Sequence, residues 1–183
     1  MRSLSVLITA LTIPLGVAGQ IMTPEEVSEL PYNHPVIVDV VAGPPEADSI
    51  EAYTRIVWMD PITHERHIEE EVEVRTSNTL LLNVVVASPH RPATCTLMVS
   101  FDDRRVLERT VRLQANGIVQ ESLELDVTSG RHTLSVEVTD GGTEDIVSCN
   151  LRVEPSEGNG GENNQVHPFQ GLVLWPRRRR RRW

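Results

Sequence analysis

Two cysteines are the residues of this sequence whose side chains could most clearly take part in chemistry. Cys95 and Cys149 each lie on the apolar side of an alternating segment, so both are expected to face a core. In an oxidising compartment two inward cysteines of one domain are natural disulfide partners, and we predict a bridge between them. The alternative is two separate buried thiols, because one strand would separate them if Cys95 opens the third strand and Cys149 lies in the last. Neither belongs to a Cys-x-x-Cys motif, so redox catalysis is disfavoured.

Two polar segments contain residue types that bind metals. His64 and His67 precede three consecutive glutamates, and imidazoles with carboxylates can hold zinc. However, these histidines are three residues apart beside a proline turn, whereas the helical zinc motif needs a spacing of four. We interpret this segment as a solvated loop that leads into a charged sheet edge. Residues 140–145 could offer carboxylates to calcium, but their composition is that of a hairpin turn. We therefore predict no metal and no cofactor.

No pattern in the sequence indicates catalysis. The chain lacks a Gly-x-Ser-x-Gly nucleophile elbow and a glycine-rich loop that could cradle phosphate. We predict that the protein is not an enzyme and assign no catalytic residue. An exported hydrolase is a third hypothesis, which a stoichiometric metal bound near His64 and His67 would revive.

The first 19 residues have the pattern of a secretory signal. One positive charge precedes a mostly apolar run over residues 4–17, and Val17, Ala18 and Gly19 supply small residues for cleavage. The run is shorter than the about 20 residues that a membrane-spanning helix needs. We expect a signal peptide over residues 1–19, a secreted or cell-envelope location, and no transmembrane span. The alternative is a buried N-terminal helix or strand.

The C-terminal residues 156–183 form a tail of unusual composition. Residues 156–165 are rich in Gly, Asn and Glu, so a disordered linker is expected there. An apolar patch that includes Trp175 follows, and Trp183 ends the chain. Between these tryptophans stand six arginines: Arg177, Arg178, Arg179, Arg180, Arg181 and Arg182. Three readings remain open. The arginines bind an anionic lipid or polymer while the tryptophans sit at the membrane interface, the tail is a sorting element, or it is disordered and folds back onto the body.

The charge of the chain is unevenly distributed. The net charge is −9, and without the six arginines of the tail it would be −15. The body of the protein is therefore strongly acidic, which argues against nucleic acid as a partner.

The remaining residues read as strands. Three prolines in residues 20–35 indicate an extended leader, and a sandwich is expected over residues 36–155 with its core in 69–155. Leu80 to Ala87 is an almost continuous apolar run, which is typical of a strand covered on both faces. Turn residues separate the segments, as at Asp102-Asp103, Asn116-Gly117 and Gly141-Gly142. Short strands with one apolar face favour an all-β sandwich.

Four stretches resemble bacterial extracellular immunoglobulin-like domains. They are residues 96–103, 106–113, 121–127 and 129–138, and they are most similar to cell-adhesion-related domains. The resemblance covers residues 80–155, and Asp103 stands where that pattern commonly has glycine. It implies an immunoglobulin-like antiparallel β-sandwich of about seven to nine strands.

Two functions are compatible with these features. The first is an exported, non-enzymatic structural or binding module of the cell surface or extracellular space, which engages a protein or glycan partner. The alternative is an electrostatic attachment protein, in which the arginine cluster binds anionic envelope components and the sandwich is a spacer. Deletion of residues 170–183 separates them, because envelope retention that survives the deletion excludes the second.

Overall fold

The computed structural model of the protein describes residues 22–47, 50–60 and 62–156. A short helix, α1 (Pro24–Ser28), precedes ten strands. In chain order the strands are β1 (Val36–Gly43), β2 (Thr54–Met59), β3 (Arg66–Ile68), β4 (Glu71–Thr76), β5 (Thr79–Ser88), β6 (Ala93–Phe101), β7 (Arg104–Leu113), β8 (Gly117–Asp126), β9 (Gly130–Asp140) and β10 (Thr143–Pro155). A single 3-10 turn over Ile50–Ala52 lies between β1 and β2.

The strands form two five-stranded sheets that pack against each other. Sheet A has the order β3-β2-β1-β5-β8, and sheet B has the order β4-β10-β9-β6-β7. Neighbouring strands are antiparallel except β4 and β10, which pair in parallel. The apolar core lies between the sheets, and its fully buried members include Leu82 of sheet A and Leu97 of sheet B.

Alternation along the strands explains which sheet faces water. In β10 the buried residues Val147, Cys149 and Leu151 alternate with exposed ones, so sheet B has one apolar and one solvated face. In β5 every residue from Leu80 to Ser88 is buried, which confirms the prediction of a strand covered on both sides. Sheet A is therefore covered on its outer face as well, over at least its central strands.

The segment before β1 covers part of that outer face. Met22, Val27 and Leu30 pack against residues of β1, β2 and β5, including Val36 and Val85. The prediction of an extended leader was wrong here, because α1 is a capped helical turn. Thr23 accepts a hydrogen bond from the backbone of Glu26, whose carboxylate accepts one from the Thr23 N–H at 2.6 Å. Proline at the first helical position and this capping box stop the segment from extending.

The described residues form ten strands, slightly more than the expected number of about seven to nine. The additional strands come from the front segment, where β3 has only three residues and β4 pairs with a strand far along the chain. β3 is too short to give a period-two signal. β4 alternates clearly, with Val72 and Val74 buried, but its parallel pairing with β10 depends on residues far along the chain.

The β6–β7 turn shows why aspartate replaces the expected glycine. Asp102 and Asp103 have φ angles of 50° and 59°, a conformation that Asp tolerates better than most residues. The Asp102 N–H also donates to the carbonyl of Thr133, and the Asp102 carboxylate accepts from the Thr133 N–H at 3.0 Å. The turn is thereby fastened to the start of β9.

A buried ion pair joins the two sheets. Asp145, at the start of β10, accepts a hydrogen bond at 2.7 Å from the backbone N–H of Ile37 in β1. Both carboxylate oxygens also lie 2.7 Å from the guanidinium of Arg66 in β3. The register of β1 against β5 shifts next to Ile37, and Asp145 is the acceptor that this N–H reaches. One carboxylate thus connects three strands from both sheets.

Candidate binding site

The structure does not form the predicted disulfide, since Cys95 and Cys149 are both buried free thiols. Cys149 lies opposite Leu134 of β9, which in turn lies opposite Phe101 of β6. Cys95 precedes Phe101 by six residues in β6. The Cα atoms of Cys95 and Cys149 are therefore roughly 20 Å apart along the strands and about 10 Å apart across them. A disulfide needs less than about 7 Å. The alternative of two separate thiols, with one strand between them, is the arrangement observed.

Both thiols are expected to be unreactive. Burial raises the pKa of Cys149 to about 12, and burial together with the charge of Asp140 raises the pKa of Cys95. A thiol that stays protonated is a poor nucleophile and a poor metal ligand. The two residues therefore contribute packing rather than chemistry.

The histidine-containing segment before β4 is a structured turn. Two backbone N–H groups, of Ile62 and Thr63, donate to the carboxylate of Asp60 at 2.7 and 2.9 Å, and these bonds lower the pKa of Asp60. The ring of His67 stacks on Trp58 with centroids 5.1 Å apart. Within the part of the chain that the structure describes, no group of three or more His, Cys, Asp or Glu residues is placed to hold a metal ion.

Other predicted features lie outside the described residues. These are the signal peptide, the linker, Trp175, Trp183 and the arginine cluster 177–182. Among the helices of the described ranges, none has the length and apolar character needed to cross a membrane.

A surface pocket opens at one end of the exposed face of sheet B. Its volume is about 330 Å³. Strands β4, β9 and β10 and the β6–β7 turn supply its walls. The lining residues are Glu71, Asp102, Arg131, His132, Thr133, Asn150, Leu151 and Arg152.

Strand register places two arginines side by side at this pocket. Arg131 of β9 lies directly opposite Arg152 of β10, and the next exposed pair along the strands is Thr133 with Asn150. Arg152 donates to Glu154 at 2.6 Å, so it is partly neutralised. Like charges directly opposite each other on a sheet are destabilising. Guanidinium, amide and hydroxyl donors at this spacing suit a ligand with carboxylate or hydroxyl oxygens.

His132 fastens the wall of the pocket and is not free to act as a base. Its Nδ1 lies 2.8 Å from the Asp102 carboxylate and its Nε2 lies 2.7 Å from the carbonyl of Thr128. Both partners are acceptors, so the doubly protonated ring satisfies both bonds. Burial alone would lower the pKa of His132, but the bonds to Asp102 and Thr128 and the Asp102 charge raise it. The ring also stacks on Phe101.

This contact predicts a pH-dependent stability. Because the folded-state pKa of His132 is raised, its stabilisation is complete below the ordinary histidine pKa and is lost as the pH rises through the folded value. His132→Gln should therefore lower the free energy of unfolding by about 1 kcal/mol at pH 5.5 and by less at pH 8.5, since Asp102 is half exposed and screened. Denaturant titrations at both pH values test this. The control is His67→Gln, at an exposed position of β3, and an equal loss at both pH values for His132→Gln would contradict the prediction.

The arginine pair and the His132 contact are the functional features that the sequence pattern does not predict. Arg131 and His132 fall within the stretch 129–138 that carries the resemblance, and Arg152 belongs to no motif. Alternation does indicate that Arg131 and Arg152 point outward. That they are neighbours follows from the β9–β10 register, which alternation alone leaves undetermined.

Comparisons with known proteins give structural similarities without an assigned family. No family model matches the chain, and no curated protein matches it. Among solved structures, a CARDB domain from Pyrococcus furiosus in complex with di-metal ions is 9% identical, with 67% of this chain and 98% of that chain covered and a TM-score of 0.39.

Two further structures are similar over about half of the chain. Fibronectin(III)-like modules from Clostridium thermocellum are 15% identical, with 49% of this chain and 93% of that chain covered and a TM-score of 0.33. A chitin binding domain from Burkholderia pseudomallei is 14% identical, with 48% and 58% covered and a TM-score of 0.34. Other similar structures are parts of enzyme chains. The protein is an all-β chain with an immunoglobulin-like β-sandwich, a class that the two packed sheets themselves define.

Proposed function

We propose that the protein is an exported, non-enzymatic binding module of the cell surface or extracellular space. It engages a protein or glycan partner through the exposed face of sheet B. The observation that carries the proposal is the contrast between the outer faces of the sheets. The α1 segment packs on sheet A through Met22, Val27 and Leu30, whereas the outer residues of β9 and β10 at the pocket are exposed and polar.

The pocket supports binding better than catalysis. His132 and Asp102 are the residue types of a histidine–aspartate catalytic pair, but both ring nitrogens of His132 already form hydrogen bonds within the protein. A general base needs a nitrogen within hydrogen-bond reach of the substrate proton. Arg131, Asn150 and Thr133 instead offer donors on a rigid sheet, which is how binding sites hold oxygen-rich groups.

A glycan partner is the form of the proposal that the donor set favours. The pocket volume of about 330 Å³ is at the lower end of the size of small-ligand sites, and guanidinium donors favour sugars that carry carboxylates. Export remains part of the proposal, supported by the signal pattern of residues 1–19.

The expected result is binding of polygalacturonate beads by the full chain, with weak binding of neutral cellulose. The double variant Arg131→Ala/Arg152→Ala should weaken binding about a hundredfold or more, because charged donors to a desolvated ligand each contribute roughly 1.5–3 kcal/mol and about 1.4 kcal/mol is tenfold in affinity. Depletion of protein from the supernatant measures the affinity. Arg75→Ala is the matched control, since Arg75 lies on β4 and is 73% exposed.

If the partner is a protein, the same arginine variants are tested by photo-crosslinking instead of glycan binding. A photo-crosslinker placed at Thr133 would then react with a partner protein, and the reaction would be reduced in the double arginine variant. Binding of either kind that is indifferent to Arg131 and Arg152 would overturn the assignment of this face.

A further inference from the structure

The two sheets leave one long side of the sandwich open. In the described residues β7 is the last strand of sheet B and β8 the last strand of sheet A, so each has only one hydrogen-bonded neighbour. Both strands contain ten residues. An unpaired edge of this length presents a row of free N–H and C=O groups to a further strand.

These two edges carry opposite charges. β7 contains four arginines and one glutamate, a net charge of +3, and β8 contains two glutamates and one aspartate, a net charge of −3. Apolar side chains that are only partly buried lie along the same side; they are Val106, Leu107, Val119 and Leu123. The open side therefore combines unpaired backbone, incomplete burial and two charged rows of opposite sign.

We propose that this side is the interface of a symmetric dimer, in which β7 of each copy pairs with β8 of the other. A two-fold axis parallel to the strands exchanges the two layers, so it places each basic edge against an acidic one. An axis normal to the sheets would instead pair β7 with β7, and two rows of +3 would repel. Charge complementarity thus selects one of the two arrangements.

The same symmetry sets the strand direction and the register. Within one chain, Arg109 of β7 contacts Glu121 of β8 across the sandwich at 2.5 Å, so these two residues are at the same height. β7 and β8 run in opposite directions, and rotation about an axis parallel to them preserves their directions. The new pairs are therefore antiparallel, with Arg109 level with Glu121 of the second copy and Thr110 level with Gln120 of the second copy.

The size of the side is sufficient for a specific contact. A ten-residue strand is about 33 Å long and the two layers are about 10 Å apart. Side chains on the two outer faces widen this strip to about 20 Å, so the interface would cover roughly 600 Å² on each copy, which is at the lower limit for specific protein interfaces. The exposed face of sheet B stays free, so dimerisation and ligand binding are independent.

Sedimentation of the full chain tests the proposal at concentrations from about 1 to 200 μM. We expect a mass twice that of one chain in about 50 mM salt and weaker association in about 500 mM salt, where exposed charges are screened. Arg104→Glu/Arg112→Glu on β7 and Glu124→Arg/Asp126→Arg on β8 should each weaken association at least tenfold. Mixed together, they should form a dimer, since each altered edge meets a complementary one. Arg75→Glu, on the opposite edge of sheet B, is the control.

Cysteine cross-linking then determines the pairing. Thr110 and Gln120 are exposed on opposite outer faces of one chain, but the proposed axis brings Thr110 of one copy beside Gln120 of the other. A mixture of Thr110→Cys and Gln120→Cys chains should form a disulfide-linked pair under mild oxidation, and neither variant alone should. A monomeric wild type at all concentrations, or cross-links within each variant alone, would overturn the proposal.

Discussion

Replacement of Asp145 by alanine is expected to lower the free energy of unfolding by about 3–5 kcal/mol. The change removes the acceptor of the Ile37 N–H and the partner of the Arg66 guanidinium. Both groups would be left in the protein interior, because the side chains of Asp145 and Arg66 are only 8% and 18% exposed. Since small domains are stable by roughly 5–15 kcal/mol, this loss is a large fraction of the total. Denaturant titration at pH 7 measures it.

Two variants separate the charge from the hydrogen bond. Asp145→Asn keeps one oxygen for the Ile37 N–H but loses the charge and one of the two oxygens that accept from Arg66, so its loss should be smaller than that of the alanine variant, which loses both oxygens. Glu154→Ala is the surface control, since Glu154 pairs with Arg152 at 2.6 Å where Arg152 is 57% exposed. Its loss should stay below about 1 kcal/mol. Equal losses for Asp145→Ala and Glu154→Ala would show that the buried pair does not join the sheets.

Replacement of Asp39 by asparagine is expected to stabilise the protein at neutral pH. Burial raises the pKa of Asp39 from 3.8 to about 6, although the charge of Arg55 acts in the opposite direction. The Arg55 Nε lies 3.8 Å from Asp39 Oδ1, and this oxygen accepts no hydrogen bond. A carboxylate in such surroundings is costly to ionise, and asparagine has almost the same shape without the charge.

The sign of the pH dependence follows from the raised pKa. Well below pH 3.8 the carboxyl is protonated in both the folded and unfolded states, and its full relative stability is present. As the pH rises from 3.8 to the folded pKa of about 6, the unfolded state ionises while the folded state stays protonated, so up to about 3 kcal/mol of stability is lost, at 1.36 kcal/mol for each pKa unit.

The comparison of variant and wild type isolates this single group. Asp39→Asn should be more stable than the wild type by about 1–3 kcal/mol at pH 7.5, and the difference should fall below about 1 kcal/mol at pH 4. Denaturation midpoints at pH 4, 5, 6 and 7.5 provide the test. Glu144→Gln, on an exposed position of β10, should change stability little at any of them. A stability difference that is constant with pH would show that Asp39 is not protonated preferentially in the folded state.

Local pattern predicted much of the fold. Alternation in β9 and β10 identified Leu134, Val136 and Cys149 as core residues, and all three are buried. The turn at Asp102 and Asp103 was recognised because few residues other than Asp, Asn and Gly accept positive φ angles. These signals are local, since each depends on residues within about ten positions of one another.

The leader carries a local helix signal beside the prolines that predict an extended chain. Thr23 followed by Pro24 and Glu26 is a helix start. Tertiary contacts of Val27 and Leu30 stabilise this short helix, because both side chains are almost fully buried.

The order of the strands in the sheets determines several features that the alternation of apolar and polar residues does not predict. Two inward-facing cysteines suggested a bridge, but β9 lies between their strands and their heights differ. The same register brings Arg131 beside Arg152 and creates the pocket, and the sheet order places basic β7 and acidic β8 on one open side. None of these pairings is encoded in a short window.

By itself, the sequence determined the class of fold, the location of the core and the polar character of one sheet face. Side-chain direction alternates along a strand whichever strand it pairs with, so the apolar positions of the sequence show which residues face the core. The tertiary structure alone decided the Asp145 contact between sheets, the separation of the cysteines and the arginine pair. These depend on which strands are neighbours and on their register, which are set by packing of the whole chain rather than by any local preference.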